Sequence, residues 1–133
     1  MVNHTILIDD SEIDLFIQRR FLEIFQFSKD FTLFHSADEA LEWLNNQPEG
    51  AMPDMIFLDL NMPKKDGFDF LEQFAQLPPS KTQHPRIVVL TSSNSSADAV
   101  RSKSYPNVIE FITKPLKQSD IENIRKILNL KNN

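Results

Sequence analysis

The chain has 133 residues, 41% of them hydrophobic and 25% charged, which suits one globular domain with a core of its own. A net charge of -5 argues against a dedicated nucleic-acid binder, and the lack of cysteine excludes disulfides, thiolate catalysis and zinc–sulfur sites. No apolar run approaches membrane-spanning length and the first residues lack a signal-peptide pattern, so a cytoplasmic protein that does not engage a membrane is expected.

In chain order, residues 4–9 (HTILID) form a short apolar run that reads as a buried strand. Residues 11–27 follow with helical spacing, and Ser11 with Asp14 three residues on resembles a capping box. Residues 31–36 (FTLFHS) read as a second strand, and residues 36–47 as a second helix with Ser36 as N-cap and Glu39 at the matching position. After a break at PEGAMP, residues 54–59 (DMIFLD) form a third strand, NMPKKDG a loop, and FDFLEQFAQL a third helix. PPSKTQHP is a polar connector, and RIVVLT (86–91) the fourth strand. A serine-rich turn leads into a short, weak fourth helix within SSADAVRSKSY. NVIEFIT is the fifth strand, and residues 118–128 the fifth helix. Five near-continuous apolar strands alternating with five helices predict a doubly wound α/β domain around a parallel sheet.

In such folds the ligand crevice lies outside the carboxyl ends of the strands. The expected strands end in Asp9 and Asp10, in Asp59, in Thr91, and in the segment running to Lys114 and Pro115. Three carboxylates at close range repel one another, and a hard divalent cation such as Mg2+ relieves the repulsion. The Lys114 ammonium is suited to a phosphate, and the Thr91 hydroxyl can donate to another phosphate oxygen. Metal, ammonium and hydroxyl together can stabilise a transferring phosphoryl group, with one carboxylate available as nucleophile.

These residues, in the motifs IDD, FLDLNMPKKDG, VVLTSS and EFITKPL, resemble the receiver domain of two-component response regulators over nearly the whole chain, 1–133. The resemblance implies a flavodoxin-like (βα)5 fold with strand order 2-1-3-4-5. It implies Asp59 as phosphoacceptor, and Asp9, Asp10, Asp59 and the backbone carbonyl of Asn61 as ligands of Mg2+ or Mn2+. Lys114 would contact the phosphoryl group, next to a cis peptide at Pro115. Thr91 and Phe111 would be the switch pair, and Gly67 would allow a tight turn in the loop after Asp59. The phosphodonor would be a histidine kinase or a histidine phosphotransfer protein. A downstream protein would read the fourth helix, fifth strand and fifth helix, and phosphorylation-driven homodimer formation is a further option. No attached output domain is expected unless the chain is a fragment of a larger regulator or hybrid kinase, and no activity on an outside substrate is expected. One departure is Tyr105-Pro106, where family members often carry Gly-Ala.

Taken singly, Asp9 and Asp10 would read as a turn or cap, Thr91 as a strand end, Phe111 as a core aromatic, and Lys64-Lys65 as a solvated loop. His4, His35 and His84 are scattered and carry no metal-site pattern. On the first helix, Ile13, Ile17, Phe21 and Ile24 define the expected inward face. Leu15 and Leu22 then point outward with Phe25 on the flank, either as scattered surface residues or as a docking stripe for a partner helix. Two rival functions remain. A Mg2+-dependent aspartyl-phosphate phosphohydrolase needs a second aspartate two residues after the nucleophile, where this chain has Asn61. A pseudo-receiver would bind partners without phosphorylation, which the presence of Asp10, Asp59, Thr91 and Lys114 disfavours.

Overall fold

Apolar strands that alternate with amphipathic helices can hide both faces only by forming a covered sheet. Five strands do so in parallel, in the order β2-β1-β3-β4-β5. They are β1 (Val2–Ile8), β2 (Ser28–Phe34), β3 (Met55–Leu58), β4 (Arg86–Thr91) and β5 (Val108–Thr113). The helices are α1 (Glu12–Ile24), α2 (Ala37–Asn46), α3 (Gly67–Ala75), the single turn α4 (Pro79–Thr82), α5 (Ser96–Lys103) and α6 (Gln118–Leu128). The structure, a computed structural model, describes residues 1–129; the end of the expected domain, residues 130–133, lies outside the described residues. Among the described residues no helix is long and apolar enough to cross a membrane.

Strand alternation divides the core in two. Ile6, Ile8, Ile56, Leu58, Ile87 and Val89 face one side, where α2 contributes Ala40 and Leu44 and α3 contributes Phe70, Leu71 and Phe74. Leu7, Met55, Phe57, Val88 and Leu90 face the other, against Leu15 and Leu22 of α1 and Ile121 and Ile124 of α6. The strand registers, Ile8 opposite Leu58 and Leu58 opposite Val89, bring the carboxyl ends level along one edge.

Three expectations about element bounds need correction. The connector PPSKTQHP contains α4, a turn begun by proline at its first positions, so the expected fourth and fifth helices are α5 and α6. β2 starts at Ser28, because the polar stretch Ser28–Asp30 pairs with β1 (Val2 opposite Ser28) instead of forming a turn. α1 stops at Ile24, three residues early, because Gln26 adopts φ 51° and turns the chain to bury Phe27.

The largest correction concerns which side of α1 faces the core. Leu15 (1% exposed), Gln18 (6%) and Leu22 (0%) are the buried residues, while Ile13 (72%), Phe16 (69%), Ile17 (55%) and Ile24 (61%) face solvent. The proposed outward stripe of Leu15 and Leu22 is therefore core, and Phe25 packs partly buried against Phe21 and the same cluster. Both faces carry large apolar side chains, so helical periodicity could not choose between them. The choice is fixed by the polar members of the buried side, since Gln18 reaches the buried carboxylate of Asp9 at 3.1 Å.

This assignment predicts unequal costs of truncation. Leu22→Ala should destabilise the protein by about 2–5 kcal/mol, and Ile24→Ala by less than about 0.5 kcal/mol. Urea denaturation of the two variants checks it; the reverse order would restore the isoleucine face to the core.

Candidate phosphoacceptor site

The site forms where the strands end. Asp9, one residue past β1, is fully buried, and its amide donates to the Phe34 carbonyl (3.1 Å), which fixes it at the β1–β2 edge. Asp59, one past β3, is 5% exposed, and its amide donates to the Ile8 carbonyl (3.0 Å), so the two acids sit side by side. Thr91 ends β4 fully buried, and its carbonyl accepts from the Lys114 amide (2.7 Å) just past β5. The Lys114–Pro115 peptide is cis. Asp10 is exposed at the mouth.

Asp9, Asp10 and Asp59 each place an oxygen within 4.8 Å of the others. Among the described residues this is the one such cluster, and none of the histidines belongs to it. Donors that are all carboxylate oxygens, two of them buried, fit a hard divalent cation and not a soft one.

The Lys114 ammonium lies against the same carboxylates. It donates to Asp9 (2.7 Å), Asp14 (2.8 Å) and, at longer range, Asp59 (3.4 Å). Burial works against its charge, but the hydrogen bonds to Asp14 and Asp9 and the charges of Asp59 and Asp9 outweigh burial and hold its pKa above the ordinary lysine value. Asp59 shifts the other way for a carboxylate. Burial, together with the charge of Asp9, pushes its pKa up, against the Asn61 amide (3.2 Å), Lys114 and Thr91, which favour the ionised form. The long Lys114 contact explains why burial wins.

A second layer holds the hydroxyl and the loops. The Asn61 side-chain amide donates to the Thr91 hydroxyl and to Ser92 Oγ, each at 3.2 Å. The serine-rich turn is ordered by its own hydroxyls: Ser93 Oγ donates to Asp98 (2.7 Å) and accepts from the Ser95 amide (3.2 Å). Ser95 caps α5 through the Asp98 amide. α5 buries Ser102 alone, so its position depends on specific contacts. Arg101 lies 3.9 Å over the Phe68 ring, and the Tyr105 hydroxyl donates to Glu72 on α3. Tyr105 thus ties the segment between α5 and β5 to α3. Phe111 packs partly buried against the same cluster as Tyr105.

Gly67 occupies a different place from that expected. It is the first residue of α3, beneath an Asp66–Asp69 capping box, while the left-handed turn of the loop falls at Lys64 (φ 63°). A Cβ at Gly67 would lie 2.7 Å from both the Asp59 carbonyl oxygen and the Leu60 Cα. Glycine is needed there for backbone contact, not for φ.

The sequence reading missed Asp14 and Gln18. The available signal was Gln18 itself, a polar residue spaced three from Leu15 and four from Leu22.

A profile of the response regulator receiver domain matches residues 5–126, and the chain belongs to that family. Two-component response regulator ORR1 of Oryza sativa subsp. indica is 29% identical over 129 residues, covering 94% of this chain and 54% of that protein. The chain thus spans about half the length of that relative. A response regulator receiver protein from Dyadobacter fermentans superposes with a TM-score of 0.84 at 29% identity, covering 96% of this chain and 98% of the other. The Mn(2+)-bound form of response regulator Rcp1 does so with 0.69 at 28% identity, covering 95% and 94%.

An acid with a raised folded-state pKa binds its proton more readily folded than unfolded, so the folded state loses stability as pH rises through that window. In chelator-containing buffer, Asp59→Asn should therefore raise Tm by a few degrees at pH 7. The gain should shrink as pH falls below the raised Asp59 pKa toward the ordinary aspartate value. Thermal melts across pH check this; an unchanged or lower Tm at pH 7 would refute it.

Proposed function

We propose that the protein is a phosphoacceptor that takes a phosphoryl group on Asp59 from a phosphohistidine donor and signals through protein contacts. The observation that carries this reading is the meeting of Asp9, Asp10, Asp59, Thr91 and Lys114 at one strand edge, with Asp59 buried and raised in pKa. Asp9, Asp10 and Asp59, with the Asn61 carbonyl, would hold Mg2+ or Mn2+, which when bound supplies positive charge beside the phosphoryl oxygens. An Asp59 carboxylate oxygen attacks the phosphorus, the P–N bond to the donor imidazole breaks, and the imidazole leaves with its electron pair. Lys114 donates to a phosphoryl oxygen. Thr91 leaves the Asn61 amide to donate to another, and Phe111 moves into the space behind it. The change would be read on α5, β5 and α6, where α5 buries only Ser102 of its own residues.

The hydrolase reading is disfavoured by Asn61, whose side chain is an amide engaged with Thr91 and Ser92 and has no acid–base role to offer. The exposed apolar stripe of Ile13, Phe16 and Ile17 on α1, beside the site, supports docking of the donor protein on that side of the helix.

Incubation with acetyl phosphate and Mg2+ should add one phosphoryl mass to the intact protein, absent in Asp59→Asn and with chelator. No adduct on wild type, together with no beryllofluoride binding, would sink the reading. Ile13→Ala with Phe16→Ala should slow transfer from a phosphorylated histidine phosphotransfer protein by about tenfold. The same double variant should load from acetyl phosphate at the wild-type rate; equal losses with both donors would remove the docking assignment.

A further inference from the structure

Three carboxylates share the three N–H donors of Lys114, and the phosphoacceptor has the poorest share. The short contacts go to Asp9 (2.7 Å) and Asp14 (2.8 Å), while Asp59 is 3.4 Å away. Asp14 does not belong to the metal-ligating cluster and comes from the first turn of α1, not from a strand end. It occupies the position where a capping box would send its carboxylate back to the Ser11 amide. That amide already donates to Asp9 Oδ1 (3.0 Å), and the return bond is not made. The contrast is α3, where Asp66 and Asp69 complete both bonds of the box. The Asp14 carboxylate is thereby released to cross to Lys114, at a 40% exposed position on a cleft of about 130 Å3 shared with Ile17, Phe21 and Pro115.

We propose that Asp14 is a positioning residue that holds the Lys114 ammonium back from Asp59, so that phosphoryl loading requires this contact to loosen. Two effects combine. An ammonium drawn to 2.8 Å from Asp14 stands too far from Asp59 for a full hydrogen bond. The extra carboxylate also offsets the Lys114 charge that an incoming anionic phosphodonor meets. The inference rests on Asp59 being the phosphoacceptor. The chemistry of loading is unchanged: the donor's bond to phosphorus breaks, the Asp59 O–P bond forms, and Asp14 takes no proton and makes no bond.

The test compares loading from acetyl phosphate with Mg2+, by intact mass over time, in wild type, Asp14→Asn, Asp14→Glu and Glu12→Gln. Glu12 shares the turn but pairs with His35 and does not touch Lys114. Asp14→Asn should load about three- to fivefold faster, a size set by a partly exposed ion pair. Asp14→Glu should restore the wild-type rate, and Glu12→Gln should match it. Equal acceleration in Glu12→Gln would show a general charge effect, and an unchanged or slower Asp14→Asn would show no restraint; either overturns the proposal. A metal-free readout is independent of loading: exchange of the Lys114 ammonium protons with water, followed by 15N spectroscopy, should quicken in Asp14→Asn and stay slow in Asp14→Glu. Unchanged exchange in Asp14→Asn overturns the proposal even if the rates move. If wild type takes no phosphoryl at all, the phosphoacceptor reading falls and this one with it; if wild type loads and the Asp14→Asn rate is unchanged, only this one falls.

Discussion

One ammonium holds the functional end of the fold together. Asp9 and Asp59 are buried at adjacent strand ends because the sheet register places them there, and a pair of buried carboxylates is unfavourable without a counter-charge. Lys114 supplies it from the end of β5, two strands from β3, where the Thr91 carbonyl fixes its backbone. The geometry is asymmetric. Asp9 is well paired, by Lys114, Gln18 and the Ser11 amide, whereas Asp59 has one amide and one long ammonium contact. The same asymmetry leaves Asp59 as the acid whose ionised form is least satisfied. Such a group gains from a cation or from a covalent partner that brings new acceptors toward Lys114 and Thr91.

The rest of the structure is arranged around that charge balance. The loop after Asp59 folds back on α3 only because Gly67 has no Cβ, and the fold-back sets Asn61 where its amide can engage Thr91. Thr91 is then coupled through Ser93, whose amide donates to the Thr91 hydroxyl and whose own hydroxyl donates to Asp98, to the first turn of α5, a helix that buries Ser102 alone. A change at Asp59 can therefore reach α5 through hydrogen bonds that run outside the two apolar cores on either face of the sheet. Arg101 over Phe68 and Tyr105 on Glu72 define the position from which α5 would move.

α1 serves two purposes with two faces. Its buried side contributes Leu15 and Leu22 to the core and Gln18 and Asp14 to the site, and its outer side presents Ile13, Phe16 and Ile17 to solvent. The apolar outer face lies within one helical turn of an acid that touches Lys114. A partner covering it would also cover the cleft in which Asp14 and Lys114 meet.

The strand order came from the family resemblance alone, whereas five strands, their parallel arrangement, and the gathering of Asp9, Asp10, Asp59, Thr91 and Lys114 were legible in the sequence. Each of these follows from local pattern: an apolar run of strand length, an acid or hydroxyl at its end, and a fold class in which strand ends share one crevice. The caps at Ser11, Ser36 and the last helix at Gln118–Leu128 were legible for the same reason. Only the tertiary structure decided the face of α1, the polar edge residues that join β2, and the role of Asp14. Two apolar stripes on one helix are equivalent until something packs against one of them. Polar Ser28–Asp30 becomes strand only because β1 offers it an unpaired edge. The sequence offers Asp14 a local use in a capping box, and its actual partner lies 100 residues along the chain. Spacing along a sequence carries no information about a contact that only the closing of the sheet creates.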